Sequence, residues 1–299
     1  MASDVLVLDG GLATELERRG HDLSGALWSA RLLRDDPAAI RAVHHDFFRA
    51  GADVATTATY QASFAGLAGV GLDDRTTTAL LRRGVELARD AAAEAAEDDG
   101  RPRLVAASVG PYGAALADGS EYSGDYGVDD ATLRAFHGRR LEVLADAGAD
   151  LLALETIPSE QEAVVLLGLL ADLASPVPAW LSITCRDGAR TRRGDPVSAT
   201  YAAAGDVESV VAVGANCVAP EHAAELVDAA VAASGGPAVI YPNTGESWDA
   251  LGRRWQRDAT FDAAAVVDWV ARGARFVGGC CRVTVADIAS VAEAVGGAA

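Results

Sequence analysis

Residues 147–160 read Ala-Gly-Ala-Asp-Leu-Leu-Ala-Leu-Glu-Thr-Ile-Pro-Ser-Glu, and the order of these residues decides the fold. Gly148 follows an amphipathic stretch and suits the left-handed residue that closes a helix. Leu151 to Leu154 then form a short, uninterrupted apolar run, the signature of a strand buried on both faces. An acid, Glu155, stands at the carboxyl end of that run, and amphipathic helix resumes over 159–173.

The same unit recurs along the chain. Apolar runs stand at 5–8, 52–58, 104–108, 151–154, 179–184, 210–213, 238–241 and 275–277. Ala-rich amphipathic segments lie between them at 36–50, 77–96, 130–147, 159–173, 220–233 and 261–273, and Gly51 and Gly273 repeat the cap of Gly148. Strand–helix alternation with continuous apolar strands means a parallel sheet covered on both faces. Eight such units within about 250–300 residues predict a (β/α)8 TIM barrel, here one domain over 1–299. A doubly wound open sheet, the alternative, generally has fewer strands. Two long connections, 111–130 and 242–260, carry Tyr112, Tyr122, Tyr126, Trp248 and Trp255. Long loops at a barrel's carboxyl rim commonly supply substrate contacts.

Composition narrows the chemistry. The formal net charge is -18, which repels phosphate backbones and argues against a nucleic-acid partner. No apolar run approaches a membrane span, and 5–8 is too short for the core of a signal peptide, so a cytoplasmic protein without a membrane partner is the expectation. All 25 basic residues are Arg. Without a lysine there is no Schiff-base enzyme and no P-loop. The four cysteines, Cys185, Cys217, Cys280 and Cys281, are too sparse for a disulfide scaffold.

All four instead follow strand runs, on one rim. Cysteine is usually a buried apolar residue, so one alone would mean little. Cys280 and Cys281 follow Gly278-Gly279, which lets the backbone bend tightly. Barrel closure brings the sixth and eighth strands together, and with them Cys217. Three thiolates with one open position form a catalytic zinc pattern. Such an electron-rich centre favours a substrate thiol over water as fourth ligand and keeps that sulfur nucleophilic. His21, His44, His45, His137 and His222 all fall in helices or helix-side loops, away from the rim, which disfavours a histidine-ligated hydrolase. Asp9 and Glu155, after strands one and four, suit an ammonium group, though either could cap the next helix. Backbone amides around Gly10, Gly11 and Thr57 suit a carboxylate.

Seven segments carry a family resemblance: 9–16 (Asp-Gly-Gly-Leu-Ala-Thr-Glu-Leu), 27–30 (Leu-Trp-Ser-Ala), 57–63 (Thr-Ala-Thr-Tyr-Gln-Ala-Ser), 108–113 (Ser-Val-Gly-Pro-Tyr-Gly), 155–158 (Glu-Thr-Ile-Pro), 214–217 (Gly-Ala-Asn-Cys) and 278–281 (Gly-Gly-Cys-Cys). The chain resembles the homocysteine S-methyltransferases from end to end. The resemblance implies zinc on Cys217, Cys280 and Cys281, with the homocysteine sulfur as fourth ligand. It implies Asp9 and Glu155 at the substrate amino group, backbone near Gly10 and Thr57 at its carboxylate, and Asn216 among the substrate contacts. Residues 155–158 and 241–246 look like the branch that takes its methyl group from S-methylmethionine or S-adenosylmethionine. Those sulfonium donors are cations, which the five aromatics of the long loops could hold by cation–π attraction, although ordinary packing would equally account for each ring. The competing readings are a betaine- or selenocysteine-type methyltransferase, a non-catalytic zinc-bound scaffold whose site Cys185 closes, and a redox pair of Cys280 with Cys281, which vicinal strain disfavours.

Overall fold

The fold was analysed in a computed structural model, which describes residues 5–23, 28–116, 119–249, 254–256 and 258–298. The apolar runs become strands because each is flanked by a helix whose own apolar stripe needs a surface to cover. The barrel strands are β1 (Leu6–Val7), β2 (Val54–Thr56), β3 (Leu104–Val109), β4 (Leu151–Ile157), β5 (Ala179–Ile183), β6 (Val210–Asn216), β7 (Ala238–Tyr241) and β10 (Ala274–Val277). All pair in parallel, in the order β1-β10-β7-β6-β5-β4-β3-β2. The remaining edges meet through a parallel bridge between Leu8 and Val54, reinforced where the Asp9 amide donates to the Val54 carbonyl at 3.0 Å. The result is the (β/α)8 barrel anticipated from the strand runs. No helix among the described residues is long and apolar enough to cross a membrane.

Alternation along each strand divides the core into two layers. Inside the barrel, Ala106, Ala153 and Ala212 leave room for the rings of Trp180, Tyr241 and Phe276. Outside it, Val105, Ala107, Leu152, Leu154 and Leu181 pack under the helices. Each buried valine, leucine or phenylalanine among them contributes about 1.5–3 kcal/mol of transfer free energy. The helix starts are fixed locally. Asp36, Ser63, Asp73, Asp129 and Ser159 each accept a backbone amide of the first helical turn. Gly51, Gly148 and Gly273 have φ of 105°, 85° and 115°, the left-handed closure their sequence context called for.

Several boundaries differ from the sequence reading. β4 runs on to Ile157 and β6 to Asn216, so Glu155 and Asn216 lie within strands rather than beyond them. Helix Val197–Gly205 fills the gap between β5 and β6, where no helical pattern had been read. The connection 242–260 contains an antiparallel hairpin of β8 (Ser247–Asp249) and β9 (Arg254–Gln256), in which Trp248 and Trp255 are register partners. Helix Tyr112–Leu116 starts the other long connection.

Candidate metal centre and amino-acid pocket

The chain crosses its own beginning at the rim of the barrel. Past β10, the Gly279 amide donates to the Asp9 carbonyl at 3.2 Å, and the Gly11 amide donates to the Val283 carbonyl at 2.9 Å. The Arg282 amide reaches the Thr14 hydroxyl at 2.9 Å. Gly278 is required here, because a Cβ would lie 2.7 Å from that of Leu8. From the other side, the Cys280 amide donates to the Pro242 carbonyl at 2.8 Å, and the Cys281 amide to Asn243 Oδ1 at 3.1 Å. Both cysteines are thereby turned toward Cys217 at the end of β6.

The three sulfurs lie within 4.8 Å of one another, and among the described residues this is the one group of three or more His, Cys, Asp or Glu placed to hold a metal ion. Cys217 and Cys281 are 3.8 Å apart and Cys280 and Cys281 4.0 Å. Zn–S bonds of about 2.3 Å at tetrahedral angles impose an edge of ~3.8 Å, so these two spacings fit a bound zinc. Cys217 and Cys280, with Cα atoms 5.6 Å apart, stand close enough to pair as a disulfide, and a metal would take both in reduced form. Burial, with help from the Glu155 charge, pushes the free Cys281 thiol up to about 11. Such a thiol ionises at neutral pH only against a cation. Cys185 is buried outside the cluster, bridged to Thr191, and burial pushes its thiol up to about 12. It does not close a fourth corner.

The backbone around the sulfurs is held in an unusual conformation. Thr156, Cys217 and Arg282 have φ of 59°, 50° and 68°, and they are the non-glycine residues with positive φ among those described. A β-branched threonine there is strained, and strain of this kind persists where surrounding bonds over-determine it. Asn216 supplies those bonds. Its Oδ1 accepts the Thr156 amide at 2.8 Å and the Ser182 hydroxyl at 2.7 Å. Its Nδ2 donates to Thr156 Oγ1 at 2.7 Å and points at the Cys280 sulfur from 3.8 Å.

Asp9 and Glu155 are both buried in the same mouth. Neither caps a helix: Ser159 caps the helix after β4, and the first helix has Gly11 at its start with no side-chain cap. Asp9 accepts the Thr56 amide at 2.8 Å and the Thr56 hydroxyl at 2.9 Å. Glu155 accepts the Ser108 hydroxyl on one oxygen and the Tyr241 hydroxyl, at 3.1 Å, on the other. Burial lifts Asp9 to about 8, with a smaller push from the Glu155 charge, and lifts Glu155 to about 7. No cation among the described residues offsets either shift.

The amides meant for a carboxylate divide differently from the sequence reading. The Thr57 amide is spent on the Ala106 carbonyl at 3.0 Å, and that of Gly11 on Val283. The Thr57 hydroxyl is also committed: it accepts the Ser108 amide at 3.0 Å and lies 2.7 Å from Thr59 Oγ1, whose proton goes to the Ser108 carbonyl. The Gly10 and Ala58 amides have no partner among the described residues. Of the aromatic candidates, Tyr112 packs on Tyr126 and Phe136 at ring separations of 5.3 and 5.0 Å. Its amide is fixed at 2.6 Å by the buried Glu162 carboxylate, which also meets His137 at 2.7 Å. The side chains of Tyr122, Trp248 and Trp255 lie outside the described residues. Trp180, Tyr241 and Ser108 were missed by sequence reading: an aromatic or a serine inside an apolar run looks like ordinary core.

A cluster of three cysteines and an acid pair, both built by strand ends, can be set beside known proteins. The family model described as homocysteine S-methyltransferase matches residues 6–295. The Escherichia coli (strain K12) homocysteine S-methyltransferase is 46% identical over 296 residues, covering 96% of this chain and 94% of its own. A selenocysteine methyltransferase from Astragalus bisulcatus is 42% identical, covering 95% of this chain and 90% of its own. The crystal structure of the homocysteine methyltransferase MmuM from Escherichia coli in its metallated form superposes with a TM-score of 0.89 at 44% identity, over 98% of this chain and 96% of that one. With a family match and near-complete relatives agreeing with the site's own geometry, the chain belongs to the homocysteine S-methyltransferase family.

Proposed function

We propose that this protein transfers a methyl group from a sulfonium donor, S-methylmethionine or S-adenosylmethionine, to the thiol of L-homocysteine, forming methionine. The observation that carries the reading is the meeting, at one barrel rim, of three mutually close cysteine sulfurs and two buried carboxylates that no cation among the described residues offsets. Cys217, Cys280 and Cys281 would hold zinc, which when bound supplies thiol deprotonation and a place for the substrate sulfur. Asp9 and Glu155 receive the ammonium group. The Gly10 and Ala58 amides, unpartnered among the described residues, serve the carboxylate. The chain's residues thus fix both ends of homocysteine and align its sulfur for an in-line attack on the donor methyl carbon. The bond from that carbon to the donor sulfur breaks as a neutral thioether leaves, so no side chain need protonate it. Catalysis then rests on thiolate supply and alignment. The donor cation is assigned to aromatic faces of the two long connections, for which Tyr112, Tyr122, Tyr126, Trp248 and Trp255 are the candidates.

The relatives divide over the acceptor. Selenocysteine is a second acceptor to test, since a thiolate-binding site does not by itself select the chalcogen. The direct test mixes reduced, zinc-loaded protein with homocysteine and, separately, S-methylmethionine, S-adenosylmethionine, betaine and methyltetrahydrofolate, following methionine by mass spectrometry. Methionine from the sulfonium donors alone is the expected result. Methionine from betaine or the folate alone would overturn the donor assignment, and none from any donor would overturn the homocysteine reading.

A further inference from the structure

Asp9 and Glu155 each accept one donor on each carboxylate oxygen, but Asp9 takes both from Thr56, whereas what holds Glu155 crosses the barrel. Trp180 on β5, Tyr241 on β7 and Phe276 on β10 meet in the interior, Trp180 lying 6.3 Å from Tyr241 and 5.8 Å from Phe276 between ring centroids. The Trp180 indole is fully buried and can only donate. It donates to the Tyr241 hydroxyl at 3.0 Å. The phenol oxygen therefore accepts from one side and turns its own proton to the other, where Glu155 Oε2 lies at 3.1 Å. Ser108 donates to the second carboxylate oxygen. A carboxylate with a directed donor on each oxygen cannot rotate freely, and its remaining lone pairs have fixed directions.

This arrangement is costly unless something uses it. A buried carboxylate without a cation loses its hydration, and two neutral donors compensate only part of that loss. Asp9 stands close enough that the Glu155 charge raises its pKa further. A single ammonium group offsets both.

Resting on the homocysteine reading above, we infer that Tyr241, oriented by Trp180, is a positioning residue that aims Glu155 at the substrate ammonium and so makes the enzyme select α-amino thiols over their desamino analogues. Tyr241 touches neither the reacting sulfur nor the methyl group. Its removal should weaken recognition of one functional group and leave the chemistry at the other end of the substrate alone.

The test is Tyr241→Phe, which keeps the ring and removes the hydroxyl. The zinc-loaded wild type and variant are compared with homocysteine and with 4-mercaptobutanoate, the same molecule without its amino group. The KM for homocysteine should rise about tenfold, the factor that goes with ~1.4 kcal/mol. The KM for the donor should be unchanged and kcat within about threefold. Selectivity for homocysteine over 4-mercaptobutanoate should fall by that same factor of about ten. A general packing defect would move both thiols and the donor together, without changing the selectivity. Ser108→Ala, which removes the donor on the other carboxylate oxygen, should shift selectivity in the same direction. If Tyr241→Phe does not fold, this second variant decides alone. Unchanged selectivity in either folded variant, with the wild type active on homocysteine, overturns the positioning role and leaves the reaction standing. A wild type inactive on homocysteine overturns both.

Discussion

The amide nitrogen of Asn216 lies 3.8 Å from the sulfur of Cys280. The same side chain holds the Thr156 backbone in its left-handed conformation. Read from sequence as a substrate contact, Asn216 spends both ends of its amide on the protein itself. Asn216→Ala should therefore act on the metal. Its affinity should fall about 10- to 100-fold, as when an outer partner of a metal ligand is lost. The orphaned Thr156 amide adds a loss of about 1–3 kcal/mol in stability. Competition with a chelator and urea unfolding measure the two effects, and wild-type zinc affinity in the variant would refute the assignment.

The cysteines separate cleanly by place. Cys217→Ser and Cys281→Ser should lower zinc affinity on the order of 100-fold or more and abolish turnover. Cys185→Ala, outside the cluster, should retain both. Metal analysis of the reduced proteins checks this. Zinc lost from Cys185→Ala would restore the closed four-cysteine site.

Substrate affinity should depend on pH with a defined sign. In the free protein Asp9 and Glu155 ionise only as pH rises through about 8 and about 7. The KM for homocysteine should therefore fall as pH rises from about 6 to about 8, by at most about tenfold per unit for each proton released. A KM independent of pH over that range would show that the two acids do not face an ammonium group.

Stability should respond from both directions. Asp9 and Glu155 have raised folded pKa values, so their contribution is full below the unfolded values near 4 and lost as pH climbs through about 7 and 8. His44 is fully buried, both ring nitrogens lack a partner among the described residues, and burial depresses it to about 4. Its contribution is present above the unfolded value of about 6.5 and lost as pH falls toward 4. Between about pH 4.5 and 6.5 the two acids outweigh the one histidine, so the metal-free protein should lose stability as pH rises, and His44→Leu should steepen that loss in denaturant titrations across pH 4–9.

Most of the barrel could be read because a strand buried on both faces is predominantly apolar, as 104–108, 151–154 and 238–241 are. Helix Val197–Gly205 escaped because Val-Ser-Ala-Thr-Tyr-Ala-Ala-Ala-Gly shows little contrast between its faces. The hairpin at Trp248 and Trp255 escaped because each of its strands is only three residues long. At the site, residue type and position near a strand end sufficed to bring Cys217, Cys280 and Cys281 together. Which amides remain available was not legible. Thr57 and Gly11 lose theirs to carbonyls of Ala106 and Val283, far away along the chain, and that depends on register alone. The Trp180–Tyr241 pair was hidden for a related reason: what distinguishes it from packing is a hydrogen bond between strands that are not neighbours in sequence.

The crossing of residues 279–283 over residues 9–14 has a consequence for biosynthesis. Cys217 leaves the ribosome 63 residues before Cys280. At about 5–20 residues per second it waits several seconds for its partners. Even then the turn carrying Cys280 and Cys281 has its shape only once it is bonded to the first βα unit. A nascent or misfolded chain thus offers zinc scattered thiols, and only a circle closed from first strand to last offers a chelate. A metal held by all three cysteines would therefore report that the circle has closed.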